Sequence, residues 1–170
     1  KLKEDKLDTN FLGDQLRGRI AYFGQEEDEL GQLVMDSSFR AENIDQELTA
    51  SSLEENFRKY DVLAGEYSLL EGGREEFQRI LGLEADFYIV AKQVGPEDVD
   101  YLNKNLVPVI LTARRGILSS SSTKRKGLIA MEDIAVDIKA GFNIPRNSLD
   151  IGQKIGASQE GDSLEFIENF

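Results

Sequence analysis

Residues 86–115 constrain the fold most, because they have the pattern of a strand, a helix and a second strand within about thirty residues. Two apolar runs, residues 87–90 and 107–111, enclose a polar segment that contains Pro96. Proline suits the first turn of a helix, where its missing N–H has no helical partner. Apolar residues then recur at helical spacing, at Val99, Leu102 and Leu106. The pattern predicts a βαβ crossover with two parallel strands.

The rest of the chain predicts a mixed sheet with helices in the N-terminal half and strands at the C-terminal end. Residues 19–23 predict a short strand between two glycines. Residues 74–81 predict a helix, with Gly82 as a left-handed residue at its end. Residues 134–138 alternate between apolar and small or acidic side chains, which is the cleanest strand pattern in the sequence. The fold class is therefore predicted to be α/β or α+β.

Length and composition favour a single globular domain over residues 1–170. The sequence is 40% hydrophobic and 31% charged, which is ordinary globular composition. It does not begin with Met, so we expect a piece excised from a longer protein. Residues 117–126 are polar and basic and predict a mobile loop. No apolar run approaches the roughly twenty residues of a spanning helix, so no membrane span is expected, and a cytoplasmic location is favoured.

The chain contains no cysteine and no histidine. These absences remove disulfides, thiolate nucleophiles and the most common zinc ligands and general bases. Chemistry that remains must use carboxylates, Lys, Tyr, backbone amides or a hard cation bound by oxygen. No glycine-rich phosphate loop is present, and no cofactor is predicted.

Charge is distributed unevenly along the sequence. The net charge is −12, whereas residues 101–131 contain no acidic residue. That stretch carries six cations, here called the basic island: Lys104, Arg114, Arg115, Lys124, Arg125 and Lys126. An acidic chain is a poor ligand for nucleic acid, because that binding depends on neutralising phosphates. The basic island instead predicts a protein partner with an acidic segment, or a small anion.

The expected βαβ unit gives this binding site a location. Ligands of parallel sheets gather at the carboxyl ends of the strands. Polar and basic residues follow the two predicted strands or lie in the loop beside them: Lys92, Thr112, Arg114, Arg115, Lys124, Arg125 and Lys126. If the strands are parallel, the side chains at their ends share one edge of the sheet. We therefore expect these residues to form an anion site.

Asp137 and Lys139 support an alternative hypothesis. On a strand, an acid followed two residues later by Lys is the pattern that Mg²⁺-dependent nucleases use to hold metal and orient water. The short motif also arises by chance on the polar face of an edge strand. The leading hypothesis is thus a non-enzymatic interaction or regulatory module. Its alternatives are a Mg²⁺-dependent phosphate-handling enzyme or nuclease and a structural subunit of a homo-oligomer.

Overall fold

The computed structural model describes residues 12–24, 42–69, 73–90, 108–148 and 150–158. In chain order the elements are α1 (Leu12–Gln15), β1 (Ile20–Phe23), β2 (Asn43–Ile44), α2 (Ala50–Asn56), β3 (Val62–Gly65), α3 (Arg74–Leu81), β4 (Tyr88–Val90), β5 (Val109–Leu111), β6 (Ile117–Ser119), α4 (Met131–Gly141) and β7 (Gly156–Ser158). The predicted mixture of helices and strands is confirmed.

The chain divides into two compact units. Unit 1 contains the described residues up to Leu83 and those from Ala130 to Lys154. Unit 2 contains the described residues from Glu84 to Ile129 and from Ile155 onward. The single domain over residues 1–170 stays a prediction.

Unit 1 is built on a parallel sheet with the strand order β2-β1-β3. The central strand β1 pairs in parallel with both neighbours, with Tyr22 opposite Asn43 and Ile20 opposite Val62. All four residues of β1 are buried, as expected for a central strand rich in aromatic and β-branched residues. The strand predicted at residues 19–23 is therefore confirmed. Helix α2 lies between β2 and β3 along the chain, so parallel strands joined through a helix do occur in this protein.

Hydrogen bonds in the first turn of α2 determine where this helix begins. The Thr49 hydroxyl accepts from the Ser52 N–H at 3.1 Å, and the Ser52 hydroxyl accepts from the Thr49 N–H at 2.9 Å. These two bonds form a capping box that satisfies N–H groups lacking helical partners. Glu76 of α3 accepts from the Ala50 N–H at 2.7 Å, so the two helices are joined at the same point.

The core of unit 1 lies between the sheet and helix α4. A buried cluster comprises Leu12, Leu16, Ile20 and Tyr22. Half-buried side chains from β3 and from α4 and the residues after it pack against this cluster: Val62, Ala64, Ile138, Phe142 and Ile144. Helix α4 thereby becomes part of the core, and the residues that follow it are held close to the same unit.

The strand predicted at residues 134–138 is wrong, because these residues lie in α4. Ile134 and Ile138 are four residues apart, so the same apolar positions that alternate along a strand also align on one face of a helix. Asp133 adds a helical signal at the N-terminus: its carboxylate accepts from the Ala130 N–H at 2.7 Å. A five-residue alternation is too short to outweigh a capped helix start.

The predicted parallel crossover between the strands of residues 86–115 is also wrong. Strands β4 and β5 are neighbours in unit 2, but they pair antiparallel, with Tyr88 opposite Leu111. The helix expected at residues 96–106 lies outside the described residues. Strands β6 and β7 form a second antiparallel pair, with Ile117 opposite Ser158. Unit 2 is therefore antiparallel where the structure describes it.

The helix predicted at residues 74–81 is confirmed as α3. Gly82 has φ −80°, so the expectation of a left-handed residue there is wrong. Within the described part of the chain, no helix is long and apolar enough to cross a membrane.

Candidate functional site

Antiparallel pairing removes the geometric reason for a shared-edge anion site. The carboxyl ends of β4 and β5 lie at opposite ends of the pair, so residues that follow the two strands do not converge. Lys92 lies outside the described residues. Thr112 extends the pairing: its N–H donates to the Phe87 carbonyl at 3.1 Å, and its hydroxyl accepts from the Phe87 N–H at 2.9 Å. Thr112 thus has a structural role at this sheet.

Arg114 is also used within unit 2. It is half-buried, and its Nη1 donates to the carbonyl of Ile155, a residue that is 2% exposed. A guanidinium that donates to a buried carbonyl satisfies an acceptor that water does not reach. Arg115, the next residue, is exposed.

The residues after β6 form a hydrogen-bonded turn, here called the basic turn (residues 120–127). The Thr123 hydroxyl donates to the Leu128 carbonyl at 2.8 Å, and the Gly127 N–H donates to the Leu118 carbonyl at 2.9 Å. The hydroxyl oxygens of Ser120 and Ser122 lie 2.7 Å apart. Since β6 takes residues 117–119, the loop predicted over residues 117–126 begins only at Ser120. Its mobility stays a prediction.

The basic turn exposes three consecutive cations, Lys124, Arg125 and Lys126. Lys124 has φ +55°, a left-handed conformation that non-glycine residues seldom adopt. Such a conformation persists when surrounding contacts fix the backbone. The hydrogen bonds of Thr123 and Gly127 provide those contacts on either side of the cations.

Asp137 and Lys139 do not lie on a strand, so the geometry expected for a nuclease site is wrong. On α4, residues two positions apart are separated by about 200° around the helix axis. Lys139 points to Asp150, with 2.5 Å between its Nζ and Asp150 Oδ1. Among the residues that the structure describes, no group of three or more acidic side chains could hold a metal ion.

Sequence reasoning missed a cluster of buried charges around α4. Asp133, Asp137, Lys139 and Asp150 are all at most 8% exposed. The second carboxylate oxygen of Asp150 accepts from the Asn147 N–H at 2.9 Å. Asp133 accepts from the Gln153 N–H at 2.7 Å. These bonds fasten the segment after α4 to both ends of the helix, and a lone acid in a loop sequence gives no signal of such pairing.

Beside this segment lies a cavity of about 240 Å³. Val136, Ala140 and Ile144 form an apolar wall. Lys139, Arg146 and Lys154 supply cations to the same cavity, and Asp150 supplies a carboxylate. Arg146 also donates to the Asp150 and Gly152 carbonyls and to Gln153 Oε1, so its guanidinium is largely committed to the segment itself.

A separate set of titratable groups joins the residues after α2 to the residue before β2. Tyr60 donates its hydroxyl to Glu42 Oε1 at 2.5 Å, and Lys59 Nζ donates to the same oxygen at 3.1 Å. These hydrogen bonds, that of Tyr60 first, hold the pKa of Glu42 below its ordinary value of 4.5. Hydrogen bonds to Tyr60 and Glu42 raise the pKa of Lys59 above 10.5. Because the Glu42 carbonyl also accepts from the Tyr22 N–H at 2.9 Å, the set reinforces the β1–β2 pairing.

Comparisons of the chain with protein-family models, with curated proteins and with solved structures gave no significant match.

Proposed function

We propose that this chain is a non-enzymatic binding module that recognises an acidic segment of a protein partner through its basic turn. The observation that carries the proposal is the hydrogen-bonded turn that exposes Lys124, Arg125 and Lys126 side by side. Arg115 adds a fourth exposed cation in the same unit. Thr112 and Arg114 contribute to the structure of unit 2 rather than to the contact surface. The Thr112 hydroxyl accepts from the Phe87 N–H, and Arg114 donates to the Ile155 carbonyl.

The hydrogen bonds within the basic turn favour binding. A loop that is already held by the Thr123–Leu128 and Gly127–Leu118 hydrogen bonds loses little conformational entropy when a partner arrives. Neighbouring like charges repel one another, and an anionic ligand relieves that repulsion. A carboxylate-rich segment can contact several cations at once, which a single small anion does less well.

Charge segregation supports the same partner chemistry. The stretch of residues 101–131 has six cations and no acid in a chain of net charge −12. Its cations therefore have no acidic neighbours along the sequence, so positive charge is concentrated in this part of an acidic chain. The acidic remainder of the chain disfavours nucleic acid.

The test measures binding of a fluorescently labelled peptide rich in Asp and Glu by anisotropy. Replacing Lys124, Arg125 and Lys126 together with Gln is expected to weaken binding about tenfold, at roughly half a kcal/mol for each exposed contact. Affinity should fall steeply as salt rises, because exposed charges are screened within about 10 Å at 0.1 M.

A charge-matched control separates this site from general electrostatic attraction. Three exposed cations of unit 1, Arg17, Arg58 and Arg74, are replaced with Gln, which changes net charge by the same amount. This control variant should bind as the wild type does. Equal loss in both variants refutes the proposal. Displacement of the peptide by inorganic phosphate at comparable concentration would identify a small anion as the ligand instead.

A further inference from the structure

Ile151 is 78% exposed, although its neighbours on both sides are buried and hydrogen-bonded. Leu69 and Ile110, two other exposed aliphatic residues, are 58% exposed. Exposed apolar side chains are common on proteins when they are scattered singly. Ile151 lies in a loop (residues 146–148 and 150–153, here called the Ile151 loop) that hydrogen bonds and backbone contacts hold at three points.

The first fixing point is Asp150, directly before Ile151. Its carboxylate binds the buried Nζ of Lys139 and also accepts from the Asn147 N–H at 2.9 Å. Both side chains of the Asp150–Lys139 pair are 2% exposed. Removing one member of such a pair leaves a buried charge without its partner, so Asp150 cannot leave α4 without a large penalty.

The second fixing point is Gly152, directly after Ile151. A Cβ at this position would lie 2.2 Å from the Glu132 carbonyl oxygen, so the two backbones are in close contact. The following residue, Gln153, donates its N–H to Asp133 Oδ1 at 2.7 Å. The chain on this side is therefore bound to the N-terminal turn of α4.

Arg146 is the third fixing point, inside the loop. Its Nη2 donates to the carbonyls of Asp150 and Gly152, at 2.9 and 2.8 Å, so it bridges the peptide groups around Ile151. The loop thus holds an aliphatic side chain toward solvent in a defined position. The ordering cost that binding ordinarily carries has already been met in folding.

Charge defines the partner that fits this loop. Asp150 is buried against Lys139, so its negative charge is not presented to solvent. Arg146 and Lys154 are exposed and line the cavity beside the loop. The loop therefore presents the apolar side chain of Ile151 together with two exposed cations, Arg146 and Lys154. Interfaces take most of their affinity from such central anchors surrounded by polar contacts.

We infer that the Ile151 loop docks onto a second protein, with Ile151 inserted in an apolar pocket edged by acidic side chains. This surface lies in unit 1 and is independent of the basic turn of unit 2. A second copy of the chain fits less well, because the cavity beside the loop exposes Arg146 and Lys154, which repel the same two cations of the other copy. An anionic lipid surface fits less well too, since one Ile and two cations favour it only on the order of a thousandfold, and the net charge of −12 opposes it.

The test is site-specific photocrosslinking of the full chain in cells of its source. Ser148, which is exposed and three residues from Ile151, is replaced with p-benzoylphenylalanine, so the anchor itself stays intact. A matched probe replaces Ser68, which is exposed beside Leu69. We expect the Ser148 probe to crosslink one protein that mass spectrometry identifies, at a site where apolar residues lie among Asp and Glu. The Ser68 probe should not crosslink it.

Variants then measure the contribution of the anchor with the purified partner. Ile151→Ser should weaken binding about tenfold to a hundredfold, the effect of exposing one buried aliphatic side chain. Lys154→Glu should weaken it in a salt-dependent way, and Leu69→Ser should leave it unchanged. Because Ile151 and Lys154 are exposed, urea midpoints should match that of the wild type. Crosslinks to the chain itself, crosslinks that persist in Ile151→Asp, or no crosslink at Ser148 would each overturn the inference.

Discussion

The buried pair of Lys139 and Asp150 should dominate the stability of unit 1. Each side chain is 2% exposed, so neither charge is solvated once its partner is removed. Breaking a buried ion pair costs about 3–5 kcal/mol. Asp150→Ala also deprives the Asn147 N–H of its acceptor, which adds about 1–3 kcal/mol if that group stays buried. The expected loss for Asp150→Ala is therefore about 4–8 kcal/mol.

Lys139→Met measures the loss of stability when the cation of the pair is removed instead of the anion. It removes the ammonium and keeps the length and apolar contacts of the side chain. Asp150 still accepts from Asn147, so the expected loss is about 3–5 kcal/mol. Because stabilities of whole domains are about 5–15 kcal/mol, either substitution removes a large fraction.

The double variant, Lys139→Met with Asp150→Ala, distinguishes the loss of the ion pair from the loss of side-chain packing. It leaves no buried charge, and replacement of both partners of a buried pair is often close to neutral. We expect it to be more stable than either single variant. Urea unfolding followed by circular dichroism gives the three values and the coupling energy of the cycle. Single losses below about 1 kcal/mol, or losses that simply add in the double variant, would refute the reasoning.

Two further predictions test other contacts of unit 1. Gly152→Ala should lower stability by about 2 kcal/mol or more, because its Cβ would overlap the Glu132 carbonyl. Gly141→Ala is the control and should not lower stability, because its Cβ meets no atom within 4 Å. The urea midpoints of the two variants provide the comparison. Glu42→Gln should destabilise the protein at neutral pH, and the difference in stability from the wild type should shrink as pH falls below 4.5. A lowered carboxyl pKa adds stability that is lost as pH falls through that lowered pKa, so a difference that does not shrink on acidification below 4.5 in thermal unfolding would contradict the prediction.

Local patterns predicted several elements well. The strand at β1 and the helix at α3 depend on short runs of suitable residues between glycines, and the structure contains both. The direction of a strand pair is not encoded locally. Apolar runs at residues 87–90 and 107–111 look the same whether the chain returns parallel or antiparallel, and the structure pairs β4 and β5 antiparallel. The anion site inferred from parallel ends therefore lost its geometric basis.

The candidate sites differ in how far sequence could reveal them. The exposed cations of the basic turn follow one another in the sequence, so a charge count finds them. Asp150 and its partner Lys139 are eleven residues apart, and each looks like an ordinary surface residue until the loop folds back on α4. The exposure of Ile151 could not be predicted from the sequence either, because an Ile usually indicates a buried position. In the structure it is exposed.

Cations therefore have two different roles in this chain: some stabilise the fold, and others are available to a partner. Lys139 is buried against Asp150, and Arg19 pairs with Asp61 while its guanidinium lies 5.1 Å from the Phe142 ring centroid. Replacing a cation of this kind is expected to change the free energy of unfolding rather than the affinity for a partner. Lys124 is exposed, and its replacement should alter that free energy by about half a kcal/mol or less. A cation whose loss affects binding without affecting unfolding belongs to a partner site, so comparing the two measurements at each cation distinguishes the charges of the fold from those of recognition.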